Sequence, residues 1–269
     1  MAAVQLIATI TGMVMVMVMV TMTDTARIIN ASLATREGIA MSPESSAHSA
    51  LALQRLLSWT SPAFPIGAFS YSGGLEAAID VDLVRDRDTL EDWCRFHLRS
   101  GAAIQDGWAV HAAMTCEDLP ALNSLSLALR QTRETRQELA LLGDAFAKVM
   151  TTVWALDLAP ELRERRADKS YPVLFGLAAR QFEIEPVAAV LAFLHAWLAN
   201  QVSVACRVIP LGQTDGQRIM HAFEIPLLDA ANAILTEHPD AHTPPLSAGL
   251  VADWCSVAHE TQYSRLFRS

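Results

Sequence analysis

The chain has 269 residues, of which 52% are apolar and 18% charged, and its formal net charge is −9. This length is enough for one well-buried core, and the acidic balance excludes nucleic acid as the main partner because phosphate binding needs a basic face. The high apolar fraction indicates either a membrane segment or an extensive protein interface. The widely spaced cysteines, Cys94, Cys116, Cys206 and Cys255, form no CxxC pair and are expected to be free thiols.

The beginning of the chain differs from the rest. Residues 1–23 carry no charged side chain, include a Met/Val alternation at residues 13–20 and are long enough to cross a bilayer. A secretory signal would begin with positive charge, whereas the first arginine is Arg27. We predict a low-complexity N-terminal extension, disordered or arising from a mis-assigned start, over residues 1–48, and one helical domain over residues 49–269. A membrane-anchored adaptor that uses residues 1–23 is the alternative.

The remainder of the chain shows the periodicity of successive helices. Asp88 with Glu91 three residues later has the pattern of a capping box, and Asp118 is placed to cap the next helix. Residues 188–209 are apolar nearly all round, which is typical of a helix buried on every side or of one in lipid. Because polar side chains interrupt this stretch, we predict a central core helix.

The last third of the chain continues the helical pattern. Thr214 with Gln217 is a second capping-box pattern, after a tight connection. The final helix is predicted to have an apolar face made of Leu250, Val251, Trp254, Val257 and Ala258. Strand-like alternation is absent from the sequence after residue 49. The predicted fold class is therefore all-α, a single-domain bundle of about eight to ten helices.

Patterns for catalysis or metal binding are sparse. Neither of the two lysines lies in a phosphate-binding loop, so the chain is not itself a nucleotide hydrolase. We predict no metal site: Pro239 prevents the helix that would place His238 and His242 on one side. A less favoured alternative is a helical enzyme, which would need a perturbed acid–base pair in a site formed by Tyr71, Glu76 and His195.

Two strings are typical of recognition rather than catalysis. Residues 61–76 combine prolines and glycines that fix a turn with aromatics that project from it. Glu76 at the end of this string is expected to open a helix, where its charge suits the positive end of the dipole. Residues 259–269 carry two aromatics, a leucine and two arginines, and such a segment is expected to dock.

These strings resemble the urease accessory protein F (UreF) family. Residues 61–76 are similar to the signature S-P-x-x-P-x-G-x-F-S-Y-S-x-G-L-E. Residues 200–220 resemble a second block, in which a helix ends in R-x-x-P-L-G-Q-T-D-G-Q, and residues 259–269 resemble H-E-x-x-Y-S-R-L-F-R-S. The similarity extends in order over residues 49–269, and Gly73 stands where the family commonly has a polar residue.

The resemblance implies a non-enzymatic, all-helical, dimeric chaperone of nickel insertion into urease. The implied partners are UreD (also called UreH), the GTPase UreG and the urease apoprotein, without nucleic acid or membrane. No cofactor would be bound tightly, because nickel is handled by the complex. The chain would act in the cytoplasm as a scaffold that bridges UreD and UreG and couples the GTP state to nickel insertion.

The resemblance also assigns residues to this role. The tail would become ordered against residues 61–76 when UreD binds. Arg265 and Arg268 would reach carbonyls or the ring around Gly67 and Tyr71, while Tyr263 and Phe267 would fill apolar pockets. Arg133 and Arg136 are candidate contacts with UreG. The full set of predicted partner-binding residues is Pro65, Gly67, Phe69, Tyr71, Glu76, Arg133, Arg136, Gln213, Asp215, Arg218, Tyr263, Arg265, Phe267 and Arg268.

Overall fold

A computed structural model describes residues 43–164 and 168–269 of the chain. Contacts divide it into two units, Met1–Ser49 and Ala50–Ser269. The predicted extension over residues 1–48, with the alternative membrane anchor at residues 1–23, lies outside the described residues except for residues 43–48. The hydrophobic core belongs to Ala50–Ser269.

The described residues form α-helices and one 3-10 turn at Ala68–Ser70, with no strand among them. The helices are α1 (Pro43–Trp59), α2 (Leu75–Asp80), α3 (Arg87–Ser100), α4 (Ala102–Thr115), α5 (Leu119–Ala128), α6 (Arg133–Val153), α7 (Pro160–Arg163), α8 (Tyr171–Gln181), α9 (Pro186–Val208), α10 (Gln213–Ala222), α11 (Glu224–Glu237) and α12 (Leu250–Glu260). All but α2 and α7 have at least ten residues, so the predicted all-α bundle of about eight to ten helices is confirmed.

Helix α4 lies at the centre of the bundle and packs against α3, α8, α9 and α11. The approach of α8 depends on Gly176, because a Cβ at that position would lie 2.1 Å from the carbonyl oxygen of Val110 in α4. Large aromatic side chains fill the rest of the core, and their complete burial is a main source of its stability. They are Trp59, Trp108, Phe146, Phe175 and Phe223.

Helix α9 matches the apolar stretch predicted as a core helix. Among the described residues it is the one helix long and apolar enough to cross a membrane, judged by length and composition. It packs against α4, α10 and α11 and buries Phe193, Leu194 and Leu198, as a core helix does. Only 44% of its most apolar window is buried, so α9 also contributes to the surface of the single chain.

The helix starts test the predicted caps. Asp118 caps α5 as predicted, because its side chain accepts the amide hydrogen of the third helical residue. The capping box predicted from Asp88 and Glu91 is wrong. Asp86 caps α3 instead, where its Oδ1 accepts the amide of Thr89 at 2.9 Å. The Asp86 amide in turn donates to the Thr89 hydroxyl. The usual capping-box pattern has glutamate or glutamine at this position, so it does not identify a threonine.

Candidate functional site

The turn-forming string at residues 61–74, called the loop below, is shaped by left-handed glycines. Gly73 and Gly74 have φ angles of 61° and 87°, which side chains rarely adopt. A Cβ on Gly74 would also lie 3.2 Å from the amide nitrogen of Ser256 in α12. The loop therefore needs glycine at position 74 both for its backbone conformation and for its close contact with the last helix.

Residues 261–269, called the tail below, lie along this loop through main-chain hydrogen bonds. The Arg268 amide donates to the Ser70 carbonyl at 2.9 Å, and the Ser72 amide donates to the Ser269 carbonyl at 3.0 Å. The Ser72 hydroxyl donates to the same Ser269 carbonyl. Bonds of this kind fix the register of the tail without depending on its side chains. The docking predicted for this segment thus occurs within the chain itself.

Glu76 holds the tail at the beginning of α2. Its Oε1 accepts the Leu266 amide at 2.7 Å, and its Oε2 accepts the Phe267 amide at 3.0 Å. Glu76 lies in the first turn of α2, as predicted, and is only 5% exposed. A buried carboxylate is tolerated when its oxygens are saturated by donors, and here the tail supplies two of them.

His259, at the end of α12, links Glu76 to α6. Its Nε2 lies 3.0 Å from Glu76 Oε2, and its Nδ1 lies 2.7 Å from Glu134 Oε2. The other oxygen of Glu134 accepts a hydrogen bond from Nη1 of Arg265 in the tail, at 2.7 Å. The imidazole ring is completely buried. Glu76, His259, Glu134 and Arg265 form a continuous polar chain beneath the tail, called the clamp below.

A further carboxyl group lies under the end of the tail. Glu138 of α6 accepts the hydroxyl of Ser269 at 2.6 Å. Burial raises the pKa of Glu138 to about 7, although the Ser269 hydrogen bond and the nearby Arg130 act in the opposite direction. A carboxyl with this pKa changes its charge near neutrality, so the underside of the tail is sensitive to pH.

Helix α9 fixes the opposite side of the loop. Asn200 and Gln201 donate side-chain amide hydrogens to the carbonyls of Tyr71 and Ser72 at 3.0 and 3.2 Å. Arg207 donates through both terminal nitrogens to a third loop carbonyl, that of Phe69. The Arg207 guanidinium also lies 4.5 Å from the centroid of the Phe267 ring. Arg207 therefore contacts the loop and the tail together, and sequence analysis did not single it out as a site residue.

The structure brings part of the predicted partner-binding set into this site and corrects several contacts. Phe267 is buried, as predicted, but Tyr263 is fully exposed and fills no pocket of the described chain. Arg265 bonds to Glu134 and to the His259 carbonyl instead of reaching Gly67 or Tyr71. Arg268 meets the loop through its backbone amide, a contact that its residue type does not specify.

Other predicted residues lie apart from the hydrogen bonds that hold the tail. Arg218 pairs with Asp215 at 2.7 Å within α10. The capping box predicted there is wrong, because α10 begins at Gln213 and its N-cap is Gly212, which has no side chain to act as a cap. Several of the predicted residues are exposed and remain available to a partner, namely Pro65, Phe69, Arg133, Arg136, Gln213 and Arg218.

The face of α12 predicted to be apolar points to solvent. Leu250 is 82% exposed, Trp254 55% and Val257 54%. The helix packs instead through Ala252, Cys255, Ser256 and His259, and the Gly74 backbone lies close to Ser256. The sequence identified the stripe correctly but not its direction. Large apolar side chains of α12 are thus exposed, as is Leu266 of the tail that follows this helix.

The alternative of an enzyme site gains no support from this geometry. Both oxygens of Glu76 are occupied by the tail and His259, and His195 is exposed on α9 while Tyr71 is buried. Within residues 43–164 and 168–269, no group of three or more histidine, cysteine, aspartate or glutamate side chains is arranged to hold a metal ion.

Comparisons with known proteins agree on one family. The UreF family model matches residues 84–224. A urease accessory protein UreF of Rhodopseudomonas palustris (strain BisA53) is 41% identical over 233 residues, which cover 83% of this chain and 96% of that protein. A second, from Granulibacter bethesdensis, is 41% identical over 231 residues, covering 81% of this chain and 94% of its own length.

Those relatives carry the name of an accessory protein, which confirms the prediction that the chain is not an enzyme. The match to the relative from Rhodopseudomonas palustris covers 83% of this chain and therefore extends beyond the residues of the family model. The chain belongs to the UreF family of urease accessory proteins.

Proposed function

We propose that this chain is a docking scaffold in urease maturation that bridges UreD and the GTPase UreG and couples the GTP state of UreG to nickel insertion. The observation that carries this proposal is the exposed apolar face of α12 beside an ordered tail. Apolar surface of this kind is typical of a protein interface. The scaffold acts in the cytoplasm without a tightly bound cofactor, and nickel is the cargo of the complex.

We assign UreD to the surface formed by α12 and the tail. Leu250, Val251, Trp254 and Val257 recur at helical spacing, and Leu266 and Tyr263 extend the apolar surface into the tail. A tryptophan flanked by aliphatic side chains is the composition expected of an energetic hot spot. These side chains lie on one continuous segment of the chain, because the tail follows α12 directly.

The test is affinity for purified UreD measured with the full chain. Leu250→Ser combined with Trp254→Ser removes two exposed apolar side chains without touching the core. At about 1–2 kcal/mol for each side chain, UreD affinity should fall roughly 30- to 1,000-fold. The matched control is Val153→Ser with Ile225→Ser, since these apolar side chains are equally exposed on α6 and α11. Undiminished UreD affinity in the α12 variant would remove this surface from the proposal.

We assign UreG to the exposed start of α6. Among the described residues, Arg133 finds no side-chain hydrogen bond or ion pair, and Arg136 has one long ion pair of 3.8 Å with exposed Asp168. Replacing both arginines with alanine should therefore leave stability within about 0.5 kcal/mol and weaken UreG binding. GTP hydrolysis by UreG, measured with and without the chain, then shows whether the scaffold accelerates or restrains turnover. Unchanged UreG affinity would exclude both arginines.

A homodimer is also part of the proposal. On α9, Ala188, Leu191, Ala192 and His195 share a helical face that the single chain buries only in part. A second copy is the occupant that we assign to it. Leu191→Asp should convert the dimer into a monomer in light scattering after size-exclusion chromatography. A variant that remains dimeric would place the interface elsewhere.

A further inference from the structure

The clamp contains one more acceptor than an uncharged histidine can satisfy. Both ring nitrogens of His259 face carboxylate oxygens, at 2.7 Å from Glu134 and 3.0 Å from Glu76. A neutral imidazole has a single N–H, and an ionised carboxylate only accepts. Two ionised carboxylates around a neutral ring would therefore leave a buried nitrogen lone pair against an oxygen lone pair. The arrangement requires one additional proton.

The hydrogen bonds around the clamp indicate where that proton lies. Glu76 already accepts the Leu266 and Phe267 amides, one on each oxygen. Glu134 accepts the Arg265 guanidinium on the oxygen that His259 does not use. Both carboxylates thus have the surroundings of ionised acceptors. An imidazolium ring, which donates from both nitrogens, satisfies every contact.

We propose that docking of the tail takes up a proton, held on His259 between Glu76 and Glu134, so that the tail is released as the pH rises. The tail contributes to this requirement, because its Leu266 and Phe267 amides and its Arg265 guanidinium donate to the two carboxylates and favour their ionised form. Once the tail leaves, water can bond to all three side chains, and a neutral ring is satisfied without the extra proton. This inference concerns the chain's own tail and is independent of which partner binds.

The charges around His259 favour a cation. Carboxylates approach the ring from α2 and α6, and the nearest formal positive charge is that of Arg265 in the tail. The charged groups that face the ring or the adjoining tail are Glu76, Glu134, Glu138, Glu260, Arg265 and Arg207. Behind Glu138, Arg130 and Asp106 form a buried ion pair that is neutral overall. Burial raises the pKa of Glu138, whereas its hydrogen bond from Ser269 of the tail lowers it, so the contribution of this carboxyl is tested separately.

The expected pH dependence follows from proton linkage. The docked state binds more protons than the released state, so the docking equilibrium weakens with increasing pH, by up to tenfold per pH unit for each proton. A histidine changes charge between about pH 5 and 8, which sets the interval to examine. Hydrogen exchange of the Leu266 and Phe267 amides reports docking directly, because both are bonded to Glu76. Rates at each pH are divided by those of a free peptide of residues 261–269.

The discriminating variant is Glu134→Gln in the full chain. The glutamine oxygen can accept Arg265 while its NH2 group donates to Nδ1 of a neutral His259, whose Nε2–H donates to Glu76. Every contact is kept without the extra proton. In the wild type, amide protection should fall about tenfold per pH unit in the upper part of the interval. In Glu134→Gln, the part of this pH dependence that is due to the His259 proton should be absent.

Two results would overturn the proposal. The first is wild-type protection that is constant from pH 6 to 8, and the second is a slope in Glu134→Gln as steep as that of the wild type. If Glu134→Gln fails to dock at any pH, the nitrogen-15 shifts of the His259 ring in the wild-type chain decide. Both ring nitrogens should show imidazolium shifts at pH 7, and a neutral tautomer would refute the proposal. Glu138→Gln separates the contribution of the second carboxyl group.

Discussion

Replacing Glu76 with glutamine is the sharpest test of how the tail is held. The carboxylate accepts three hydrogen bonds, from the Leu266 and Phe267 amides and from His259. Glutamine has almost the same shape but only one accepting oxygen, and its NH2 group would meet another donor. Whichever way the amide is oriented, the N–H of Leu266 or that of Phe267 loses its acceptor.

The magnitude follows from these contacts. A buried donor left without an acceptor costs about 1–3 kcal/mol, and a hydrogen bond to a charged acceptor contributes about 1 kcal/mol more than a neutral one. The docking free energy of the tail should therefore decrease by about 2–4 kcal/mol. Since 1.4 kcal/mol corresponds to a tenfold change, amide protection at Leu266 and Phe267 should fall roughly 30- to 1,000-fold.

The assay is hydrogen exchange followed by mass spectrometry on the full chain at constant pH. Asp80→Asn is the matched control, because Asp80 lies on the same helix, is exposed and has a side chain without a hydrogen bond or ion pair within residues 43–164 and 168–269. The control should keep wild-type protection in the tail. Protection in Glu76→Gln within threefold of the wild type would show that the main-chain bonds to the loop hold the tail without Glu76, and the reasoning would be refuted.

Three further predictions concern the same site. Gly74→Ala should destabilise the protein by about 1–3 kcal/mol in urea denaturation, because its φ of 87° is left-handed and the new Cβ would press on Ser256. Arg207→Lys should weaken tail docking by about 1 kcal/mol, measured by hydrogen exchange, since lysine cannot make the paired contact while covering the Phe267 ring. Burial raises the folded-state pKa of Glu138 from 4.5 to about 7, so its stabilising contribution is present at low pH and is lost as the pH rises through 7. In thermal unfolding scans, Glu138→Gln should therefore be more stable than the wild type by about 1–2 kcal/mol at pH 8 and equally stable at pH 4.

Local composition was sufficient to predict the helices and the two segments that meet in the site. Periodicity identified α9, and the prolines, glycines and aromatics of residues 61–76 indicated a rigid recognition element. The partner of Glu76 was not accessible in this way. Its position at the start of α2 suggested an interaction with the helix dipole alone, whereas the amides that it accepts lie 190 and 191 residues further along the chain. Main-chain donors leave no trace in the sequence.

The sequence also did not predict which way the apolar face of α12 points, and here the reason is packing. Helical spacing determines which residues share a face, but the neighbouring backbone decides which face is buried. Gly74 lets the loop approach α12 at Ser256, on the face that also buries Ala252, Cys255 and His259, and Trp254 and Leu250 are left in solvent. Contacts with the loop, together with those of His259, therefore decide which face of this helix is offered to a partner.

The way the tail is attached also determines how easily it can be detached. Phe267 is its main buried apolar side chain, while Tyr263 and Leu266 are already exposed in the docked state. Release would expose Phe267 to water and rehydrate the clamp around His259. Buried polar networks of this kind define a single geometry while adding modest net stability. A partner that distinguishes the two positions of the tail can therefore shift the balance between them by the difference in its affinity for each.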